Sequence, residues 1–220
     1  MNQLLGWLTF VVMMLAAVWY CPLIVKSRVK PAPATWIVGC MGMSLSVWFY
    51  WHTANRTFMG NVLNFAAMVE IATVFVVLMI TLWRRGELRL AFDGLQRFCI
   101  ATMICAFVYW YFNKDQAGLA FWIAQGMRAV AHFATVFKIV GLGRNVDSLG
   151  NWGFILAGSL IGAIPAFMSG NHYGIVNSIR AVVLTIITLG TLAFFDKKNG
   201  WEQFKNELNA FGLAPERSRS

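Results

Sequence analysis

MGNVLNFAAMVEIATVFVVLMITLW, residues 59–83, is the stretch that decides the fold. It exceeds the ~20 apolar residues that cross a ~30 Å hydrocarbon core. Yet Asn64 sits one turn in, and Glu70 lies six residues further on. That places the carboxylate ~9 Å deeper along a helix. A charge at bilayer depth costs roughly 2.5–3.5 kcal/mol on insertion scales, so it is expected to face protein or a wet cavity, not lipid.

The rest of the chain agrees with a membrane setting. Of 220 residues, 59% are apolar and 12% charged, about half the ~25% charged content of soluble domains. The charges cluster, leaving seven apolar runs near 4–22, 33–51, 60–83, 96–112, 119–140, 152–168 and 174–195. The second and sixth are at the short end for a span. The first run lacks a basic leader and a good cleavage site, and reads as a retained span. The net charge of +9 belongs to loops flanking spans. No basic cluster with interleaved aromatics sits on a soluble unit, so nucleic acid is excluded as a partner; the lipid bilayer is the expected one. Cys21, Cys40, Cys99 and Cys105 lie in or beside apolar runs without ligand spacing, and read as free thiols.

Orientation follows from Lys and Arg. Fourteen of the eighteen fall in the odd-numbered loops and the tail, two in the even loops, and Arg128 and Arg180 inside spans. By the positive-inside rule the N-terminus is outside and the C-terminus cytoplasmic. The third loop, from Arg84 to Asp93, mixes basic and apolar residues and is expected at the lipid surface. In the tail Trp201, Phe204, Leu208 and Phe211 recur at helical spacing, with Glu202, Lys205 and Glu207 between them. They predict a short amphipathic helix that lies on the membrane or docks on the bundle; both options stay open. Residues 214–220 are expected to be disordered.

A weak internal repeat organises the spans. Trp36 is followed six residues on by Gly42, and Trp152 six residues on by Gly158. The next span then opens with Asn64 in one half and Asn177 in the other. Spans one to three map onto spans five to seven, and the fourth is left over. Three spans reverse the side on which the chain emerges, so one extra span makes the two triplets parallel. The fold expected is an all-α membrane protein of seven transmembrane helices, in a 3-1-3 arrangement of two parallel three-helix repeats. The units are 1–83 (first repeat), 84–118 (cytoplasmic interfacial loop and linker helix), 119–195 (second repeat) and 196–220 (cytoplasmic tail).

On these residues the chain resembles the SWEET and PQ-loop superfamily, as a distant member. Pro22-Leu23-Ile24-Val25-Lys26-Ser27, then basic residues and Thr35-Trp36, is similar to that family's proline, basic loop and aromatic pattern. Leu23 stands where the family has glutamine, Thr135-Val136-Phe137-Lys138 where a second proline is expected, and Leu63 and Val176 where prolines precede the asparagines. The resemblance implies a solute pocket contacted by Asn64 and Asn177, with Trp48 as an aromatic wall.

The residues themselves admit plainer roles. A membrane asparagine bridges helices for ~0.6 kcal/mol on average. An amide also offers two donors and an acceptor to a hydroxyl-bearing solute. Trp48, beside Trp51, equally reads as an interfacial belt residue. Glu70, Arg128, Arg180 and His132 are expected to form an internal charge network, with Glu70 paired to an arginine as a brace or a gate. His132, one turn after Arg128, reads as a packed core residue or a relay. His52 and His172 read as loop histidines. Gly141-Leu142-Gly143-Arg144-Asn145 lacks the strand and spacing of a phosphate loop and reads as a turn.

No metalloprotease, nucleophile-elbow or paired-carboxylate motif occurs. A non-enzymatic protein without metal or organic cofactor is therefore expected. The expected function is movement of a small polar solute, sugar-like or another small metabolite, by alternating access. The alternatives are a receptor or binding protein of similar build and a small structural or pore-forming membrane protein of phage type. A homo-oligomer is compatible with any of these.

Overall fold

A computed structural model describes residues 2–29, 31, 33–54, 56–87, 92 and 94–213. Among them there are eight α-helices and no strand: α1 (Asn2–Val25), α2 (Pro33–Trp51), α3 (Val62–Arg84), α4 (Gly94–Phe112), α5 (Ala117–Leu142), α6 (Leu149–Met168), α7 (His172–Lys198) and α8 (Glu202–Ala210). Single 3-10 turns precede α3 and α5. Helices α1 to α7 overlie the seven expected spans. Five stretches are long and apolar enough to cross a membrane: those of α1, α3, α4, α6 and α7. The apolar part of α2, Trp36–Trp51, is shorter. Helix α5 has the length but carries Gln125, Arg128, His132 and Lys138 along it. Much of the third loop, and the whole of 214–220, lie outside the described residues.

The helix ends are set by local chemistry. Ser148 Oγ accepts from Asn151 N at the start of α6, and Asn171 Oδ1 from Gly174 N at the start of α7. These side-chain acceptors satisfy amides that have no partner within the helix. Gly143 ends α5 at φ 64°, a left-handed conformation that costs glycine nothing. The Gly141–Asn145 segment is thus a helix end and turn.

Lipid tails are as apolar as leucine, so membrane helices associate through close approach and hydrogen bonds. Helix α1 packs on α3 and α6, α2 on α3 and α5, and α7 on α6 and α5. Helix α4 lies against α5 and α2. Two of these contacts depend on the glycines that mark the expected repeat. Gly42 of α2 receives the Arg128 side chain of α5, and Gly158 of α6 receives Met13 of α1. A third close approach joins the starts of α3 and α7, where a Cβ on Gly174 would run into the carbonyl oxygen of Gly60. Leu4, Val11, Leu15 and Val18 line one exposed stripe of α1, and Ile179, Val183 and Ile186 one of α7. These are the faces left for lipid.

The tail helix docks. Asp196, buried at the end of α7, accepts from Gln203 N and Phe204 N at 3.0 Å each and so caps α8. Phe211 stacks on Trp19 with ring centroids 4.3 Å apart. Glu207, spaced in the sequence as part of the polar face, is fully buried. Its carboxylate accepts from Ser148 Oγ (2.8 Å), Leu149 N (2.9 Å), Gly150 N and Trp19 Nε1 (3.2 Å each). Burial pushes this carboxyl up from its usual range, and the four donors pull it back. An acid on α8 thereby closes the N-terminus of α6, where the helix dipole also favours negative charge.

Candidate functional site

Halfway along the bundle, α2, α3, α5 and α7 bring polar side chains to one point. Arg128 Nη1 donates to Asn64 Oδ1 (3.1 Å), Asn177 Oδ1 (3.2 Å), Gln125 Oε1 (3.4 Å) and Ser46 Oγ (3.4 Å). Arg180 Nε donates to Gln125 Oε1 (2.7 Å), and its Nη2 to Asn177 Oδ1 (3.2 Å). Asn64 Nδ2 and Gln125 Nε2 donate to Ser46 Oγ at 3.0 and 2.6 Å. Asn177 Nδ2 reaches Asn61 Oδ1 at 3.4 Å. The two asparagines matched by the repeat therefore meet on one guanidinium.

The electrostatics of this cluster are one-sided. Both arginines use the same two amide oxygens, those of Gln125 and Asn177. Like charges held on shared acceptors repel each other. Among the described residues no ion pair offsets this. Glu70 is buried on α3, its Oε1 has no hydrogen-bond partner, and it pairs with neither arginine. The expected brace between Glu70 and an arginine does not form; neutral amides from neighbouring helices hold the guanidiniums instead. His132 is also drawn elsewhere. Its Nε2 lies 2.8 Å from Thr188 Oγ1 and 3.2 Å from Leu184 O, and its ring meets Trp152 edge-on at 5.0 Å.

A cavity of about 170 Å³ adjoins the cluster. Arg128, Arg180 and Asn177 line it at one end, and Trp36, Asp147 and Trp152 line it toward the α8 end of the bundle. Helices α1, α2, α3, α5, α6 and α7 each contribute to its wall, and α4 contributes no lining residue among those described. Glu70 and His132 face the cavity, whereas Asn64 lies behind Arg128, fully buried. Asp147 is engaged at the rim, accepting from Tyr20 OH (2.6 Å), Ser148 N (2.8 Å) and Trp152 Nε1 (3.2 Å). Beyond the arginines, away from α8, the bundle is packed with rings. Tyr50 contacts Phe65, Phe121 and Tyr173, and its hydroxyl is held by Asn171 Nδ2 and the backbone of Thr57.

Trp48 does not reach the cavity. It is half exposed on the outer face of α2, against His52 and Trp110. The indoles in the cavity wall are Trp36 and Trp152, the two that mark the sequence repeat. Sequence reasoning also missed Ser46, Asn61, Gln125 and Asp147. Gln125 was within reach of it, because Gln125, Arg128 and His132 form a polar stripe at i, i+3 and i+7 on one helix face. Ser46, Asn61 and Asp147 carry no such spacing. The four cysteines are free thiols. No group of metal-ligating side chains occurs among the described residues. No family model, no curated protein and no solved structure matches the chain.

Proposed function

We propose that this protein is a carrier that moves a small polar solute across a membrane by alternating access. In this reading α1–α3 and α5–α7 are two like triplets, α4 is the linker that makes them parallel, and the cavity between them is the solute site. The single observation that carries the reading is that cavity, walled by six helices drawn from both triplets and adjoining a polar cluster. The helix pairings add support. Exchanging the triplets turns the α1–α6 contact into α5–α2, α1–α3 into α5–α7, and α2–α3 into α6–α7; each of these pairs is in contact. Gly42 against Arg128 and Gly158 against Met13 are partners under the same exchange.

The basic residues put the α8 end in the cytoplasm. The cavity then belongs to an inward-facing state, with the Tyr50 rings and the Gly60–Gly174 contact sealing the outer side. The likeness to the SWEET and PQ-loop plan belongs to this proposal and reaches no further than the helix plan. Solute counterflow in proteoliposomes tests the reading. Uptake that Asn177→Ala and Asn64→Ala both abolish is the expected result; ion leak indifferent to both substitutions points to a pore and removes it. The tight backbone contact at Gly60 and Gly174 favours one competitor, a receptor of the same build that binds without opening outward. Ligand stabilisation with no counterflow is its signature.

A further inference from the structure

The geometry points to a small oxyanion, a carboxylate or phosphate group, as what the Arg128–Arg180 end of the cavity binds. This rests on the carrier reading only in placing the solute in that cavity. The inference starts from charge. Nine acidic residues occur in the chain, and Glu70 is the one at mid-span depth. It does not pair with either arginine, and Asp147, the other carboxylate of the wall, is taken by Tyr20, Trp152 and the Ser148 amide. The guanidiniums are fixed from behind by Ser46, Asn64, Gln125 and Asn177, all neutral. Amide oxygens orient a guanidinium but do not neutralise it. Both arginines line the cavity. Guanidiniums carry donors in a rigid fork that matches two oxygens of a carboxylate or phosphate. Their shared amide acceptors bring the two forks to one side of one cavity. An oxyanion there removes the mutual repulsion, which a neutral sugar does not.

The test uses the full chain in nanodiscs of phosphatidylcholine alone, with thermal unfolding as the readout. The probes are inorganic phosphate, L-lactate, glucose and choline, at one ionic strength set with chloride. Phosphate or lactate raises the midpoint in a saturable way, and glucose and choline leave it unchanged; which anion acts assigns the phosphate or carboxylate class. In Arg180→Gln the half-saturating concentration rises roughly tenfold or more, the loss expected for one charge-assisted contact, while Arg180→Lys retains part of the response. Glucose stabilising as well as the anions overturns the proposal, and so does an anion response unchanged in Arg180→Gln. Stabilisation only after phosphatidylglycerol is added also overturns it, because a lipid headgroup is then the ligand. Should Arg180→Gln not fold, the selectivity series on the wild-type chain decides alone. The carrier reading fails separately: anion stabilisation without counterflow removes transport and keeps the site, and glucose counterflow without anion stabilisation does the reverse.

Discussion

At the α8 end of the bundle a carboxylate is fully buried, and in its middle two guanidiniums are held inside the protein. Glu207 is surrounded by four donors, two of them main-chain amides of a helix N-terminus. Its charge is met by hydrogen bonds and by the helix dipole. Arg128 and Arg180 are held by four side chains that are likewise neutral, but they share two of these acceptors and so set like charge beside like charge. Among the described residues, one site is complete and the other has no acidic partner. The first is read as structural, and the second is the site proposed above to bind an oxyanion. Removing one side chain from each separates the two cases.

The largest effect is expected at the complete site. Glu207→Leu leaves the Ser148 hydroxyl, the Trp19 indole N–H and the Leu149 and Gly150 amides without their acceptor. Leaving buried donors without an acceptor costs about 1–3 kcal/mol. Unfolding of the bundle should therefore shift down by about that much, with α8 becoming open to protease first, while phosphate binding at the remaining folded protein stays unchanged. A shift below about 1 kcal/mol would show that Glu207 and the arginines are not different in kind.

Arg180→Met should cost less stability, within about 1 kcal/mol of wild type. Two hydrogen bonds are lost, but so is a like charge beside Arg128, and the Gln125 and Asn177 oxygens keep their contacts with Arg128. The same substitution should remove anion stabilisation. A loss of several kcal/mol would instead make Arg180 a brace, and the comparison with Glu207 would collapse.

How much of this was legible in the chain divides by range. Helix positions came from apolar run length, which is local: each of the seven expected spans has a helix over it, and five of these helices are long and apolar enough to cross a membrane. The marks of the expected repeat were also local, and they fell on the cavity and the helix contacts: Trp36 and Trp152 in the wall, Gly42 and Gly158 at the helix crossings, Asn64 and Asn177 on one guanidinium. What failed was partner choice. Opposite charges at similar depth invite pairing, yet depth says nothing of the angle around a helix axis, and Glu70 and the arginines do not meet. Glu207 misled for a related reason. On helical spacing it belongs to the polar face of α8, but the N-terminus of α6, which that face meets, is fixed only by tertiary packing.

Trp48 carries the smallest expected effect and limits where the proposed binding site extends. The resemblance placed its indole against the solute, whereas it stands half exposed on α2, packed on Trp110 and His52. Trp48→Phe keeps an apolar ring at that face, so stability should change by no more than about 0.5 kcal/mol, the range of substitutions away from special features. Phosphate or lactate stabilisation should be unaltered. Trp36→Phe removes indole surface from the cavity wall itself and disturbs the contact with Tyr20, whose rings lie 5.6 Å apart. Tyr20 in turn donates to Asp147 at the rim. Binding that responds to Trp36 and ignores Trp48 follows from a site at the α8 side of the arginines; the reverse order would move it toward the Tyr50 rings, where the bundle is packed shut.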